Sequence, residues 1–321
     1  MAGREKVVVL GEVLIDVFAE PASKPRPGDR RFGLVGVPGG APCNVAAHLA
    51  AANVPVSLVT AFADDAFGPA LQSLLLERNI DLSCSVTFSG TRTPLAIVQT
   101  DAAGERSFRL YLKGSVLERL APSAIRDDLF QQAAWFHFGS LLMAYEAPYQ
   151  TTIHLLEQAR RQQVLISCDL NIRPDVWQEA AVSTDVLWNV LSSIDLLKIS
   201  DEDFEWFRYH VAARHAPALQ EPADLLAWGP TLICWTRGPE GATLYSHHAR
   251  VDVPAPDVDV VDTTGAGDAF TAGLLIALRQ RGMTERAALA SLNHQALAEA
   301  GAFAASQAAG ILAQRGAMPA L

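Results

Sequence analysis

Short runs of β-branched and apolar residues alternate with helical segments along most of the chain, and this rhythm restricts the fold more than any other feature. "KVVVLG" precedes "CNVAAHLAAAN", and "VSLVTAF" precedes "FGPALQSLLLERN". The pattern resumes after residue 130 with "AWFHFG", a helix around Tyr149 to Gln162, "VLISCDL", "IDLLKIS" leading into "DEDFEWFRYHV", and "TLICWT". Strands joined through helices pair in parallel, so the fold class is α/β, with one mainly parallel sheet taking all of these runs. A different pattern interrupts the rhythm. In "TRTPLAIVQTDAAGERSFRLYLKG", Phe108, Leu110 and Leu112 alternate with Arg109, Tyr111 and Lys113 after a turn at "DAAGE", which predicts a hairpin with no helix. With "RRFGLVGV" it makes a small β layer, a lid formed by segments 12–37 and 88–114 within a single domain spanning 1–321. An edge or open face of such a layer can pair between two chains, so a homodimer is expected. The Pro-rich stretches "EPASKPRPG" and "VPAPDVD" read as surface loops, and there are no internal repeats.

A chain of 321 residues, 50% of them hydrophobic, can bury one large core. A net charge of -10 without a block of basic residues argues against a general surface for nucleic acid or anionic membrane. An anionic ligand must then be held locally. Cys43, Cys84, Cys168 and Cys234 lie far apart with no C-x-x-C pair, which favours reduced, buried thiols and a cytoplasmic protein. Gly11, Glu12 and Asp16 break the first apolar run before a signal-peptide core forms. No run approaches the roughly 18 apolar residues that a membrane helix needs.

The segment "VVDTTGAGDAFTAGLLIALRQRG", Val260 to Gly282, concentrates the chemistry. Gly265 and Gly267 can take backbone angles closed to other residues. Successive amides, with Ala266 between them, can therefore converge at the start of a helix that carries Phe270, Leu274, Leu275 and Leu278. The helix dipole adds positive potential at the same point, which attracts an anion. Asp268 stands beside that site. On residue type alone it can equally be a favourable charge in a first helical turn. Neither a G-x-x-x-x-G-K-[ST] loop nor a G-x-G-x-x-G after a strand occurs, so the two commonest nucleotide fingerprints are absent.

The nine residues "DTTGAGDAF" resemble the C-terminal signature of the ribokinase-like, or PfkB, carbohydrate kinases, and "VPGGAPCNVAAHLA" is similar to that family's N-terminal signature. The likeness extends in order through "GEVLID", "DDAFG", "GERSF", "FHFGSL", "SCDLNIRPDVW", "KISDEDF", "TRGPEGATLY" and "RGAMP". It implies a three-layer α/β/α sandwich and phosphoryl transfer from ATP to a primary hydroxyl. By the same resemblance Asp268 is the general base and the amides of Gly265, Ala266 and Gly267 form the anion hole. The sugar then meets Asp16, placed at the end of the first strand, together with Gly39, Gly40, Asn44, Phe108 and Arg173. Without the resemblance, Asp16 is a strand-end turn residue, Asn44 an N-cap for "VAAHLAAA", and Arg173 a surface ion-pair partner.

On the nucleotide side the resemblance points to Asn171, Lys198, Ser200, Thr236, Arg237, Gly238, Gly241 and Ala305, together with Gly265 and Gly267. Ser200 and Asp203 occupy the Asn and Glu positions of the family's N-x-x-E motif, so Asp203 is expected to reach Mg2+ through water. The small residues of "FAASQAAGILAQRGAMP" suit either a flat adenine ring or close helix packing, and Ala305 stands where relatives often carry Asn. A K+ ion near Asp262, Thr264 and the loop around Gln314 and Gly316 is left open. Within the family, "GGAPCNVA", "GERSF" and "LNIRPDVW" are most similar to bacterial members that phosphorylate fructose, which implies D-fructose as acceptor and fructose 6-phosphate as product. The first alternative is a 2-keto-3-deoxygluconate kinase, with Arg173 or a lid residue such as Arg30, Arg106 or Arg109 against the substrate carboxylate. Ribose and nucleosides follow. Outside the enzymes stands a sugar-sensing protein without turnover, and an intact Asp268 with Gly265 and Gly267 speaks against it.

Overall fold

The computed structural model describes residues 4–19, 33–100 and 106–320. Side chains at 19, 99, 100 and 106–108 lie outside the described part, and so does the turn "DAAGE". The readings of Phe108 as a sugar contact, and of Arg30 and Arg106 as carboxylate partners, therefore fall outside it.

Fourteen strands are present among the described residues: β1 Lys6–Leu10, β2 Leu14–Ala19, β3 Leu34–Gly39, β4 Val56–Val59, β5 Ala61–Ala63, β6 Val86–Phe88, β7 Leu95–Thr100, β8 Arg106–Tyr111, β9 Ala133–Gly139, β10 Leu165–Asp169, β11 Leu196–Ser200, β12 Leu232–Thr236, β13 Ala242–Ser246 and β14 Arg250–Val253. Eight of them form one sheet in the order β14-β13-β12-β11-β10-β9-β1-β4. Every pairing from β12 to β4 is parallel, and β13 and β14 are added antiparallel at the far edge.

The parallel strands are apolar at nearly every position because both faces of the sheet are covered. Alternation by two sorts their side chains between two cores. Val8, Leu10, Phe136, Phe138, Ile166 and Leu197 go to one, while Val7, Val9, Trp135, Leu165, Leu196 and Leu232 go to the other. The helix Glu146–Arg161 closes the first core through Leu155, Leu156 and Ala159. The helices Ala41–Ala51, Ala266–Gln280 and His294–Leu312 close the second through Leu49, Leu274, Leu275 and Leu297. Each such Leu contributes about 1.5–3 kcal/mol by leaving water. The last two helices touch backbone to backbone, since a Cβ on Gly273 would come within 2.8 Å of the Ala304 Cα. Ala305, 8% exposed, belongs to the same core, so the small residues of the last helix serve helix packing.

Only the first half of "VSLVTAF" joins the main sheet, because β5 turns away to pair with β6. The remaining strands form a separate sheet in the order β3-β2-β7-β8, with β2 parallel to β7 and antiparallel to β3, and β7 antiparallel to β8. Asp16 lies inside β2 of this small sheet and not at the end of the first strand. The first strand ends at Leu10, and a side chain at the next residue, Gly11, would collide with the ring of Pro42. The chain thus crosses from one sheet to the other at 11–13, and returns at Gly39–Gly40.

Candidate active site

Open parallel sheets bind ligands beyond the carboxyl ends of their strands. Here those ends meet a cleft of about 300 Å³ that brings Asp16, Asn44, Asn171, Arg173 and Lys198 up to the turn preceding Asp268. Gly40 also lines it, at the point where the chain leaves the small sheet. Its φ is 110° and a Cβ there would strike the Glu12 carbonyl, so only glycine makes this turn. Gly39 precedes it, and a side chain at that position would occupy the place of the Asp16 carboxylate.

Asn44 lies in the first turns of the helix Ala41–Ala51, whose N-cap is Gly40, so it is not the cap. Its Nδ2 donates to Asp268 Oδ2 at 2.7 Å, joining the start of one helix to the start of another 224 residues away in sequence. Hydrogen bonds to a charged group typically contribute about 1.5–3 kcal/mol, and this one also fixes the rotamer of the carboxylate. Burial pushes the pKa of Asp268 up to about 6; the Asn44 hydrogen bond, Lys198 and Arg173 oppose the rise, and the charge of Asp169 adds to it. Asp16 is pushed up to about 7 by burial and by the charge of Asp268, with Arg173 opposing.

Sequence reasoning missed Glu12. It is 5% exposed, lines the cleft, and accepts the Ala41 N–H at 3.1 Å, tying the crossing at 11–13 to the helix that carries Asn44. Burial pushes its pKa up to about 7 against several favourable partners. The available signal was an acidic residue placed directly after a strand as apolar as "KVVVLG". Asp169 was also missed, although it lies within the quoted stretch "SCDLNIRPDVW". Its Oδ2 accepts from Lys198 Nζ at 2.8 Å, and its Oδ1 is buried without a protein partner.

The glycine turn separates into unlike parts. Gly265, the N-cap of the helix Ala266–Gln280, has φ 79° and depends on being glycine. Gly267 is the second residue of that helix and takes ordinary helical angles, so the expectation of special backbone freedom holds at the first glycine alone. The Ala266 N–H donates to the Thr263 carbonyl at 3.3 Å, which engages one of the three amides expected to face an anion. Gly267 remains in the first turn, where backbone N–H groups lack an intrahelical partner. A Cβ on it would lie 3.4 Å from Lys198 Nζ, so a buried ammonium stands beside the helix start. Burial alone would lower the pKa of Lys198, but the carboxylates of Asp169 and Asp203 outweigh it and raise the pKa.

Several of the expected nucleotide residues lie on neighbouring strand ends. Ser200 and Thr236 are register partners at the ends of β11 and β12. Ser200 and Asp203 form a reciprocal capping box for the helix Asp201–Phe207, and Asp203 Oδ1 also accepts the Ile172 N–H at 2.6 Å. Both carboxylate oxygens of Asp203 thus hold backbone amides, and this geometry gives it a place in the fold that the metal reading did not foresee. Among the described residues no group of three or more His, Cys, Asp or Glu is placed to hold a metal ion. Arg237 donates to Thr243 Oγ1 at 2.8 Å and lies 4.3 Å from the centre of the Trp235 ring. Gly238 and Gly241 turn the chain at φ 49° and 87°. Asp262 accepts from the amides of Thr264 at 2.8 Å and Gly316 at 3.0 Å, tying the glycine turn to the C-terminal loop.

The sequence profile described as pfkB family carbohydrate kinase matches residues 4–321, and the chain belongs to that family. Among curated proteins, the chain is 32% identical to Fructokinase-1 of Oryza sativa subsp. japonica over 278 residues, covering 86% of this chain and 84% of the other. It is 32% identical to a fructokinase of Klebsiella pneumoniae over 286 residues, covering 88% of this chain and 87% of the other. The crystal structure of a fructokinase with bound ATP from Xylella fastidiosa matches with a TM-score of 0.86 at 28% identity, covering 98% of this chain and 95% of that chain. The resemblance read from the two glycine-rich signatures and the α/β fold are both borne out. No helix among the described residues is long and apolar enough to cross a membrane.

Proposed function

We propose that this carbohydrate kinase transfers the γ-phosphoryl group of ATP to D-fructose, giving fructose 6-phosphate and ADP. The observation that carries the reading is the meeting, in one cleft, of a buried Asp268 with a helix start kept open by Gly265. Asn44 occupies one oxygen of Asp268 and leaves the other to the sugar. That carboxylate accepts the proton of the primary hydroxyl as its oxygen bonds to the γ-phosphorus, the bond to the β-phosphate oxygen breaks, and ADP leaves. The amide of Gly267 and the ammonium of Lys198 face the charge that develops on the transferred group. Mg2+ arrives as the Mg·ATP substrate complex, keeping waters of its own, which suits a protein whose Asp203 is already engaged with backbone amides. Asp16 and Asn44 hold sugar hydroxyls, and the small sheet closes over them to exclude water.

Charge favours a neutral acceptor. Glu12, Asp16, Asp169 and Asp268 line the cleft against Arg173 and Lys198. A sugar acid such as 2-keto-3-deoxygluconate would bring its carboxylate into this group, and like charges at close range are costly in a partly dry site. Arg173 and Lys198 are the features that favour the acid. The test is an ADP-release assay with Mg·ATP and a panel of fructose, ribose, adenosine and 2-keto-3-deoxygluconate. Fructose should give the highest kcat/KM, and a tenfold advantage for 2-keto-3-deoxygluconate would overturn the choice of sugar while leaving the family in place.

A further inference from the structure

The helix Ala41–Ala51 carries two buried polar side chains one turn apart, Asn44 and His48. Asn44 reaches Asp268, whereas His48 reaches the other end of the chain. Its Nε2 lies 3.0 Å from the carbonyl oxygen of Ala317. A carbonyl only accepts, so the ring carries its proton on Nε2 and donates. Burial pushes the pKa of His48 down, which keeps the ring neutral.

Ala317 is 3% exposed and lies against Gly265. A Cβ on Gly265 would come within 2.5 Å of the Ala317 Cβ and 2.6 Å of its Cα. Two further side chains hold the same stretch: Asp262 takes the Gly316 N–H at 3.0 Å, and Arg78 donates to the Pro319 carbonyl at 2.8 Å. Residues 316–319 are therefore fastened from three parts of the chain onto the residue that sets the helix start.

We propose that His48 is a positioning residue for phosphoryl transfer: by holding Ala317 against Gly265, it fixes the direction of the helix-start amides. Asn44, on the same helix face, fixes the base. One helix thereby sets the spacing between the proton acceptor and the anion hole. Displacements of about 1 Å at such a site can cost 10²-fold in rate. The proposal rests on the reading of the 265–267 turn as the anion hole.

The test compares the full-length protein with His48→Leu and His48→Gln by steady-state kinetics, fructose calorimetry and amide hydrogen exchange. Leucine fills the space without a donor, and glutamine restores one. His48→Leu should lower kcat at least tenfold, leave fructose affinity within about threefold and speed exchange at residues 316–318. His48→Gln should return kcat to within about threefold and slow that exchange again. The proposal is overturned if His48→Leu keeps half of the wild-type kcat, if exchange at 316–318 does not change, or if glutamine is as damaging as leucine. If the leucine variant does not fold, a tenfold loss of kcat in His48→Gln overturns it alone. A wild-type enzyme that phosphorylates another sugar but not fructose would sink the fructose reading, and the exchange arm would still decide the role of His48.

Discussion

The two ends of the cleft solve opposite electrostatic problems. At the end that the proposed function assigns to the sugar, Glu12, Asp16 and Asp268 are buried carboxyl groups whose pKa values all stand above the ordinary range. At the end that the proposed function assigns to the nucleotide, the groups are turn amides and Lys198, and near the end of β11 Ser200 and Asp203 already hold the backbone. On that reading, the first end keeps its carboxyl groups desolvated until hydroxyls arrive. On the same reading, the second end relies on main-chain donors, because a phosphate brings its own charge and needs donors in place. Damage at the first end should therefore fall on proton transfer and sugar recognition, and damage at the second on the geometry of the helix start.

The largest expected effect is at Asp268, where the two ends meet. Asp268→Asn keeps the size and the hydrogen-bonding reach toward the hydroxyl but removes the proton acceptor, so kcat should fall about 10²- to 10⁴-fold. Fructose affinity by calorimetry should stay within several-fold. Retention of more than a third of wild-type kcat would mean that the carboxylate is only a helix-start charge.

The paired glycines sharpen the contrast. Gly265→Ala places a Cβ against the Ala317 backbone at positive φ and should lower kcat about 10²-fold with fructose binding nearly intact. Gly267→Ala meets only the flexible end of Lys198 at 3.4 Å, so a loss below about fivefold is expected. Equal losses in the two variants would break the distinction drawn between them.

The raised pKa values predict opposed trends with pH. As the proposed base, Asp268 must be ionised, so kcat/KM should rise with pH up to about 6 and fall about tenfold per unit below it. Stability should move the other way. Glu12, Asp16 and Asp268 bind protons more tightly folded than unfolded, so their contribution to stability is fully present below about pH 4 and is lost as pH rises through 6 and 7. Thermal melts of the sugar-free protein between pH 5 and 8 should show this decline, with a shallower slope in Glu12→Gln. A slope identical in that variant would remove Glu12 from the account.

The smallest effect concerns the small sheet. Fructose should slow amide exchange across 91–114 by several-fold if that sheet closes on the sugar. Equal protection with and without sugar would leave a fixed wall in place of a lid.

Much of this protein was legible in one dimension. The βα rhythm gave the parallel sheet because apolar periodicity and helix length are local properties, and the paired glycines marked the turn at Gly265 because positive φ excludes most side chains. The motif "VPGGAPCNVAAHLA" also led to Asn44, though not to its partner. What stayed hidden depends on approach between distant segments. Asn44 and Asp268 are 224 residues apart, and His48 and Ala317 are separated by 269. Asp16 lies in the small sheet, beyond a crossing where Gly11 leaves room for Pro42, a contact that no local pattern encodes. Asp203 was expected near Mg2+ from the family motif, and its oxygens also accept the amides of Ser200 and Ile172, a pairing that exists only once β10 and β11 lie side by side. By itself the sequence determined which residues can turn, donate and accept. Only the tertiary structure decided which carboxyl groups lose water and which keep a free oxygen, because desolvation is a property of everything packed around a group and not of the group itself.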